Sequence, residues 1–337
     1  MTWIKNIISN FDSVRFKIIE SCNWSCHFCH NEWNITAGKI QWGDKLHNIF
    51  QDLKAVWLKE VHLTGGEPSL NKDIKEIIGW LHSLGLTVKM TTNGQFNEKI
   101  KADLIESKID AINVSVQSIN PYDLLKIMTQ HHTIEWAEAQ IHRMQRNIID
   151  LIQNNIKLRA NVVLSSEDEL HKVTDIMTWT QAHNIELRVL DNILSKQTSY
   201  LAIQKLLKQT HAKFIEKINI SWTSSSRSVF ELPNGYNFIV KHIEPIYLSQ
   251  ICNSCDNFKN NTCNEGFYTI RLQFDFQQKE YIIMLCMQNH NTDTILSVND
   301  FLYNLQNNYY ELQDFTRWSN VLGRPKIFPI KPIATSK

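Results

Sequence analysis

Between residue 14 and about residue 190, short β-rich runs alternate with segments whose apolar residues recur every three or four positions. The runs are VRFKIIE (14–20), EVHLT (60–64), TVKMTT (87–92), AINVSVQ (111–117), LRANVVL (158–164) and IELRVL (185–190). Between them, Leu46, Ile49, Phe50, Leu53 and Val56 trace one helical stripe, and Ile74, Ile77, Ile78, Leu81 and Leu84 a second, which Gly85 should cap. Ile141, Met144, Ile148, Leu151 and Ile152 trace a third, as expected of core packing. This alternation predicts an α/β fold of parallel strands joined by crossover helices. Six units are too few to close an eight-stranded barrel, so the expected architecture is an open, partial (β/α)6 TIM-type barrel. Its chemistry should lie at the C-terminal ends of the strands.

The pattern changes toward both ends. Ile4, Ile7, Ile8 and Phe11 have helical spacing and predict a short amphipathic helix over the core. Beyond residue 200, YLAIQKLLKQTHAKFIEK predicts a helix, and NISWTSSSRSVFELPNGYNFIVKHIE opens a looser region. The expected division is a core domain at 1–225 and a smaller α+β module at 226–337. No apolar run is long enough for a signal peptide, and YIIMLCM is of strand length, too short to cross a bilayer. A soluble, cytoplasmic protein is therefore expected.

Charge excludes some partners. Lysine plus arginine (35) balances aspartate plus glutamate (34), so no global field draws nucleic acid or an anionic membrane. A small nucleotide stays open, because a few local arginines can bind it.

The seven cysteines form two groups: Cys22, Cys26 and Cys29, then Cys252, Cys255, Cys263 and Cys286. A disulfide framework wants an even count in a small secreted chain, so metal or iron–sulfur ligation fits better. The first group directly follows the first strand, at the face where such a barrel places its chemistry. Structural zinc takes four protein ligands and a redox dithiol two, so neither explains a triplet. A 4Fe–4S cluster held by three thiolates would leave one iron open to a substrate or cofactor.

CNWSCHFC, with Phe28 before the last cysteine, resembles the CxxxCxΦC signature of the radical S-adenosylmethionine (SAM) superfamily. The other strand ends agree: LTGGEP carries Gly65, Gly66, Glu67 and Pro68; TTNG carries Thr92 and Asn93; NVSVQS carries Ser115. The resemblance implies that these residues, with Phe28 and with Ile193 just past LRVLDN, hold SAM. It also implies that the cluster's open iron chelates the SAM amino and carboxylate groups. An electron from the cluster then cleaves the sulfonium, giving a 5′-deoxyadenosyl radical that abstracts hydrogen from the substrate. Flavodoxin or ferredoxin would be the electron donor.

Within that superfamily the chain is similar to the GTP 3′,8-cyclase family of molybdenum-cofactor biosynthesis. Arg15 matches an arginine that contacts the triphosphate there, Arg159 in LRANVVL stands where a substrate-contacting lysine would be, and His62 replaces an arginine. All three are implied substrate-binding positions. Cys252 and Cys255 match the CxxC of that family's second cluster, Cys286 resembles its third ligand, and Cys263 is extra. Four thiolates could saturate a second 4Fe–4S cluster, or hold a structural zinc instead. No arginine pair follows the CxxC, and the tail IKPIATSK lacks the family's terminal Gly-Gly. The expectation is a cyclase-like lyase or oxidoreductase with a different small or nucleotide-like substrate. The alternatives are a peptide maturase, which the lack of a leader-binding domain before residue 14 disfavours, and a non-catalytic metal-bound scaffold.

Overall fold

Six strands with two unlike faces organise the chain. A computed structural model describes residues 5–9, 12–29, 40–56, 58–192, 195–220, 225–243, 270–276, 279–284 and 295–297. Strands β2 (Ser13–Ile19), β3 (Glu60–Gly65), β4 (Thr87–Thr92), β5 (Ala111–Ser115), β6 (Leu158–Leu164) and β7 (Glu186–Asp191) pair in parallel in that order, after β1 (Lys5–Ser9). One face of each strand is apolar: Val14 and Phe16, Val61 and Leu63, Val88 and Met90, Ile112 and Val114, Ala160 and Val162, Leu187 and Val189 are all buried. These positions join one core with residues of helices α1 (Asp44–Val56), α2 (Ile74–Ser83), α3 (Glu98–Glu106), α5 (Ile134–Gln153), α6 (Leu170–Ala182) and α7 (Lys196–Gln209). The other face carries Arg15, His62, Lys89, Asn113, Arg159 and Arg188, because side chains alternate along a strand. The six strands and the α1, α2 and α5 stripes lie where the hydrophobic pattern placed them.

Among the described residues the sheet continues past both edges of this core to thirteen strands, in the order β1-β8-β9-β10-β7-β6-β5-β4-β3-β2-β11-β12-β13. β9 (Ser225–Glu231) and β10 (Asn237–Ile243) form an antiparallel hairpin whose second strand runs parallel to β7. Its turn is closed by Leu232 N–H donating to Tyr236 O at 2.8 Å and Gly235 N–H to Leu232 O at 2.9 Å, with Gly235 at φ +85. At the opposite edge β11 (Ile270–Asp275) runs parallel to β2, followed by antiparallel β12 (Glu280–Met284) and β13 (Ile295–Ser297).

Electrostatics show that the sheet curls. In a flat sheet, six inter-strand steps of about 4.8 Å would hold β2 and β10 about 29 Å apart. Yet Arg15 of β2 is the foremost charge acting on Lys241 of β10, and both act on His62 of β3. The polar faces therefore close around a common interior, as in a partial barrel. Among the described residues, no helix is long and apolar enough to cross a membrane.

Two expectations are corrected. Residues 5–9 form strand β1, paired in parallel with residues 216–220 of β8 (Lys213–Ile220), where the spacing of Ile4, Ile7, Ile8 and Phe11 predicts a helix. Adjacent β-branched isoleucines suit a strand, and an available partner edge decides the matter. The helix expected through YLAIQKLLKQTHAKFIEK ends at Gln209; His211 takes a left-handed φ of +51, and Lys213 begins β8. Gly85 fulfils its expected part: at φ +71 it closes α2, with Gly85 N–H donating to His82 O at 2.8 Å and Leu86 N–H to Leu81 O at 3.2 Å.

The ends of β2 and β3 meet through glycine. Gly66 N–H donates to Ile19 O at 3.1 Å and Glu67 N–H to Ser21 O at 2.8 Å. A β-carbon at Gly65 would overlap the backbone of Ile19, and one at Gly66 the carbonyls of Glu20 and Ser21. Gly79, in the middle of α2, has open space instead. Gly66→Ala is thus predicted to lower unfolding stability by about 1–3 kcal/mol through overpacking. Gly79→Ala should raise it by up to about 1 kcal/mol through helix propensity. Denaturant titration of the two variants beside the wild type checks the contrast.

Candidate functional site

The parallel strands end on one rim, and the cysteine loop is the first element to leave it. Residues 21–29 are clamped to the segment after β5: His27 N–H donates to Ile127 O at 2.9 Å, Thr129 N–H to Ser25 O at 2.8 Å, and Cys26 bridges Met128. Trp24, Cys26 and Phe28 pack on a small apolar cluster of Leu124, Ile127, Met128, Ala137 and Ile141, supplied by α4 (Pro121–Ile127), the residue after it and α5. Phe28 thereby anchors the loop between two cysteines. Cys29 N–H donates to Cys26 O at 3.0 Å, which turns the last thiol back toward the others.

Glu67 joins this loop to its neighbours. The side chain is 2% exposed and caps the 3-10 turn Pro68–Leu70, accepting from Ser69 N–H at 3.0 Å. It also accepts from Thr92 Oγ1–H at 2.6 Å and Asn93 N–H at 2.7 Å, both at the end of β4. Asn93 Nδ2 in turn donates to Asn23 Oδ1 at 2.7 Å, inside the cysteine loop. One carboxylate therefore ties the ends of β3 and β4, and through Asn93 the cysteines. Burial pushes the Glu67 carboxyl up, while these hydrogen bonds pull the other way.

The three thiols face one another. Crowding by protein pushes Cys22 up to about 11, with the Glu67 and Cys29 charges adding to the shift, although the residue keeps an exposed side. Burial pushes Cys26 up to about 12, with Cys29 and then Cys22 adding. Free, both thiols are protonated at neutral pH, and binding a metal must displace their protons. The set fits a cationic iron–sulfur group: three sulfurs gathered at a rim, each of which would be negative as a ligand. Among those residues no group of His, Cys, Asp or Glu is gathered tightly enough for a single metal ion. A 4Fe–4S cluster takes one thiolate per iron and so needs its ligands farther apart. The rim and interior also fit a polar ligand, because the buried atoms Ser25 Oγ, Asn113 Oδ1 and Asn161 Oδ1 have no hydrogen-bond partner among the described residues.

Below the rim the interior is cationic. Arg15 stands beside His62, and His62 beside Lys89, in register across β2, β3 and β4. Lys89 is paired with Glu60, while Arg159 and Arg188 share Glu186, with Nε to Oε1 distances of 2.8 and 3.0 Å. Burial pushes Arg188 down to about 10, Arg227 and Arg159 push further, and Glu186 offsets part of it. Arg227 is lowered by burial and then by Arg159. Lys241 is lowered to about 7 by burial, then by Arg15, Arg227 and Arg188, against Asp191. His62 is held well below the ordinary imidazole value by burial and by Arg15, Lys89, Lys241 and Arg188, so it is neutral at neutral pH. Its Nε2 lies 2.7 Å from Thr91 Oγ1.

Of the residues singled out from sequence, Cys22, Cys26, Cys29, Phe28, Gly65, Gly66, Glu67, Pro68, Thr92 and Asn93 lie on the rim, with Ser115 at the end of β5, in register with Asn161 of β6. Arg15, His62 and Arg159 face the interior. Ile193, Cys252, Cys255, Cys263 and Cys286 lie outside the described residues. Arg188, Arg227 and Lys241 were missed. A signal was available for Arg188, the polar residue between Leu187 and Val189 in the strand run IELRVL.

Comparison with known proteins agrees with this geometry. Residues 16–162 match the model of the Radical SAM superfamily. A GTP 3′,8-cyclase of Helicobacter pylori (strain HPAG1) is 25% identical over 267 residues, covering 74% of this chain and 77% of that protein. Among solved structures, Streptococcus suis SuiB bound to S-adenosylmethionine is similar at a TM-score of 0.51 and 15% identity; the match covers 82% of this chain but only 58% of SuiB. SuiB bound to its precursor peptide SuiA gives a TM-score of 0.53 at 14% identity, covering 95% of this chain and 75% of that one. These two likenesses concern the fold. The chain carries a radical SAM domain and is an enzyme of the radical SAM type, a divergent relative of the GTP 3′,8-cyclases.

Proposed function

We propose that the protein cleaves SAM reductively at a 4Fe–4S cluster on Cys22, Cys26 and Cys29 and abstracts hydrogen from a small anionic, nucleotide-like substrate held inside the barrel. The cationic interior beneath the cysteine rim is the observation that carries this reading. Arg15 lies four residues before the end of β2, which is about 13 Å along an extended strand. A substrate whose anionic end rests at that depth has to be long to present a reacting carbon at the rim, as a nucleotide is. The cluster and SAM, when bound, supply the one-electron chemistry, with flavodoxin or ferredoxin as donor. The chain supplies placement: Glu67 fixes the strand ends, the orphaned polar atoms of Asn113 and Asn161 await hydrogen bonds, and the interior cations orient the anion.

The four later cysteines are proposed to hold a second 4Fe–4S cluster within the 226–337 module, saturated on its protein side, so that substrate binding falls to the interior cations. A peptide substrate has likeness of fold behind it and no feature of the described interior.

Three outcomes are expected. Reduced, anaerobically reconstituted protein yields 5′-deoxyadenosine from SAM, and Cys22→Ala, Cys26→Ala and Cys29→Ala each abolish this; an inactive wild type overturns the proposal. Metal analysis gives about eight irons per chain, whereas about four irons with one zinc would assign the second site to zinc. Incubation with GTP gives no cyclised pterin precursor by liquid chromatography, while formation of that product would make the chain a cyclase proper.

A further inference from the structure

Helix α5 supports the rim at two places. Near its start, Ala137 and Ile141 belong to the apolar cluster on which Trp24, Cys26 and Phe28 of the cysteine loop pack. Farther along, the same helix holds the turn that follows β4. Gln95 Nε2 donates to Gln140 O at 2.8 Å, and Asn147 Nδ2 donates to both Gly94 O and Phe96 O at 2.9 Å. Between the two places lies Met144, whose Cγ would be 2.9 Å from a β-carbon added at Gly94. Ala137, Ile141, Met144 and Asn147 follow one another at intervals of three or four, so one stripe of α5 meets both loops.

The turn held in this way carries the ties of the rim. Asn93 Oδ1 accepts from Gln95 N–H at 3.0 Å, which orients the amide so that Nδ2 donates to Asn23 Oδ1 of the cysteine loop at 2.7 Å. Gly94 N–H donates to Thr92 Oγ1 at 3.1 Å, and the Thr92 hydroxyl donates to Glu67. Asn147 itself is fully buried. Both of its partners are carbonyl oxygens, so its nitrogen faces the turn, and Oδ1 is left buried with no hydrogen-bond partner among the described residues. An unpaired buried carbonyl lowers stability, so packing at this point of α5 gives no reason for an asparagine. Its two bonds to the turn do.

We propose that Asn147 is a positioning residue for SAM cleavage. It fixes the turn bearing Thr92 and Asn93 to the helix that backs the cysteine loop, and so sets the separation between the residues proposed to hold SAM and those proposed to hold the cluster. The inference rests on the reading of the rim as the SAM site. Asn147 is too buried to offer an atom to a ligand, and its effect passes through Thr92 and Asn93. Reactions between groups held in place are sensitive to displacements of about 1 Å, which can cost about a hundredfold in rate.

The test is equilibrium dialysis of labelled SAM against the full, anaerobically reconstituted chain, with iron content, melting temperature and 5′-deoxyadenosine formation measured beside it. Asn147→Leu keeps the size of the side chain and removes both donors. It should retain the wild-type iron content, weaken SAM binding about tenfold or more and slow 5′-deoxyadenosine formation at saturating SAM. Gln95→Met, which removes the bond to Gln140 O, should act in the same direction more mildly. Tyr236→Phe is the control for stability: it removes buried hydrogen bonds to Thr180 Oγ1 and Ile185 O, at the N-terminal end of β7. It should lower the melting temperature and leave SAM binding unchanged. In combination with Asn93→Ala, Asn147→Leu should weaken SAM binding by less than the product of the two single effects, because both act through one turn.

Wild-type SAM affinity and rate in Asn147→Leu would overturn the inference. So would equal weakening by Tyr236→Phe, which would trace the effect to global stability, or a fully multiplicative double variant. Should Asn147→Leu fail to fold or to keep its iron, unchanged SAM affinity in Gln95→Met would overturn it. A wild type that retains its iron and binds no SAM would remove the reading of the rim, and this inference with it.

Discussion

The buried carboxylate of Glu67 is the interaction on which the rim depends. It sits where three loops from three strands have to be held at fixed separation, and its acceptor capacity is taken up by donors from two of them. The third loop, which bears the cysteines, is fastened to the same segment by the Glu67 N–H to Ser21 O bond and by the Asn93 to Asn23 bond. Glycine at 65 and 66 is what lets the strand ends come close enough for this network to form. A cofactor gripped from several strand ends needs those ends to be rigid before it arrives, and a carboxylate buried at the cost of desolvation provides that rigidity.

A second constraint runs down the strands. Their period of two assigns apolar residues to the helix-packed face and leaves the opposite face free to be polar. An eight-stranded barrel fills its interior with branched apolar side chains. Here the interior positions of β2, β3, β6, β7 and β10 include arginine, histidine and lysine, and burial first, then neighbouring cations, lower the proton affinities of Arg188, Arg227 and Lys241. Rim and interior thus differ in kind: the rim gathers the three cysteines, and the interior gathers cations, which the proposed function assigns to an anionic substrate.

Much of this was legible in the sequence. Each core strand is a long, strongly patterned run, and the cysteine spacing, LTGGEP and TTNG lie at strand ends where the parallel topology makes their positions converge. Legibility failed where local pattern competes with pairing. Ile7 and Ile8 fit a helix by spacing, yet β1 forms because the edge of β8 accepts it. FIEK continues a helical period on paper, but Thr210 and the left-handed His211 end α7 before it. The hairpin β9–β10 carries an Asn-Gly pair in ELPNGYN, a turn signal flanked by alternating residues. Arg227 and Lys241 could be placed in the interior only once that hairpin was known to pair with β7 and the sheet to curl toward β2, a long-range fact that no local period contains.

The central claim is that three thiolates leave one iron open to SAM above an anion-binding interior. Electron–nuclear double resonance on the reduced enzyme, with SAM carrying nitrogen-15 in its amino group, tests it most directly. The account predicts a nitrogen-15 hyperfine coupling to the cluster spin that disappears when unlabelled SAM is substituted. A reduced, intact cluster that shows no such coupling in the presence of saturating labelled SAM would contradict it.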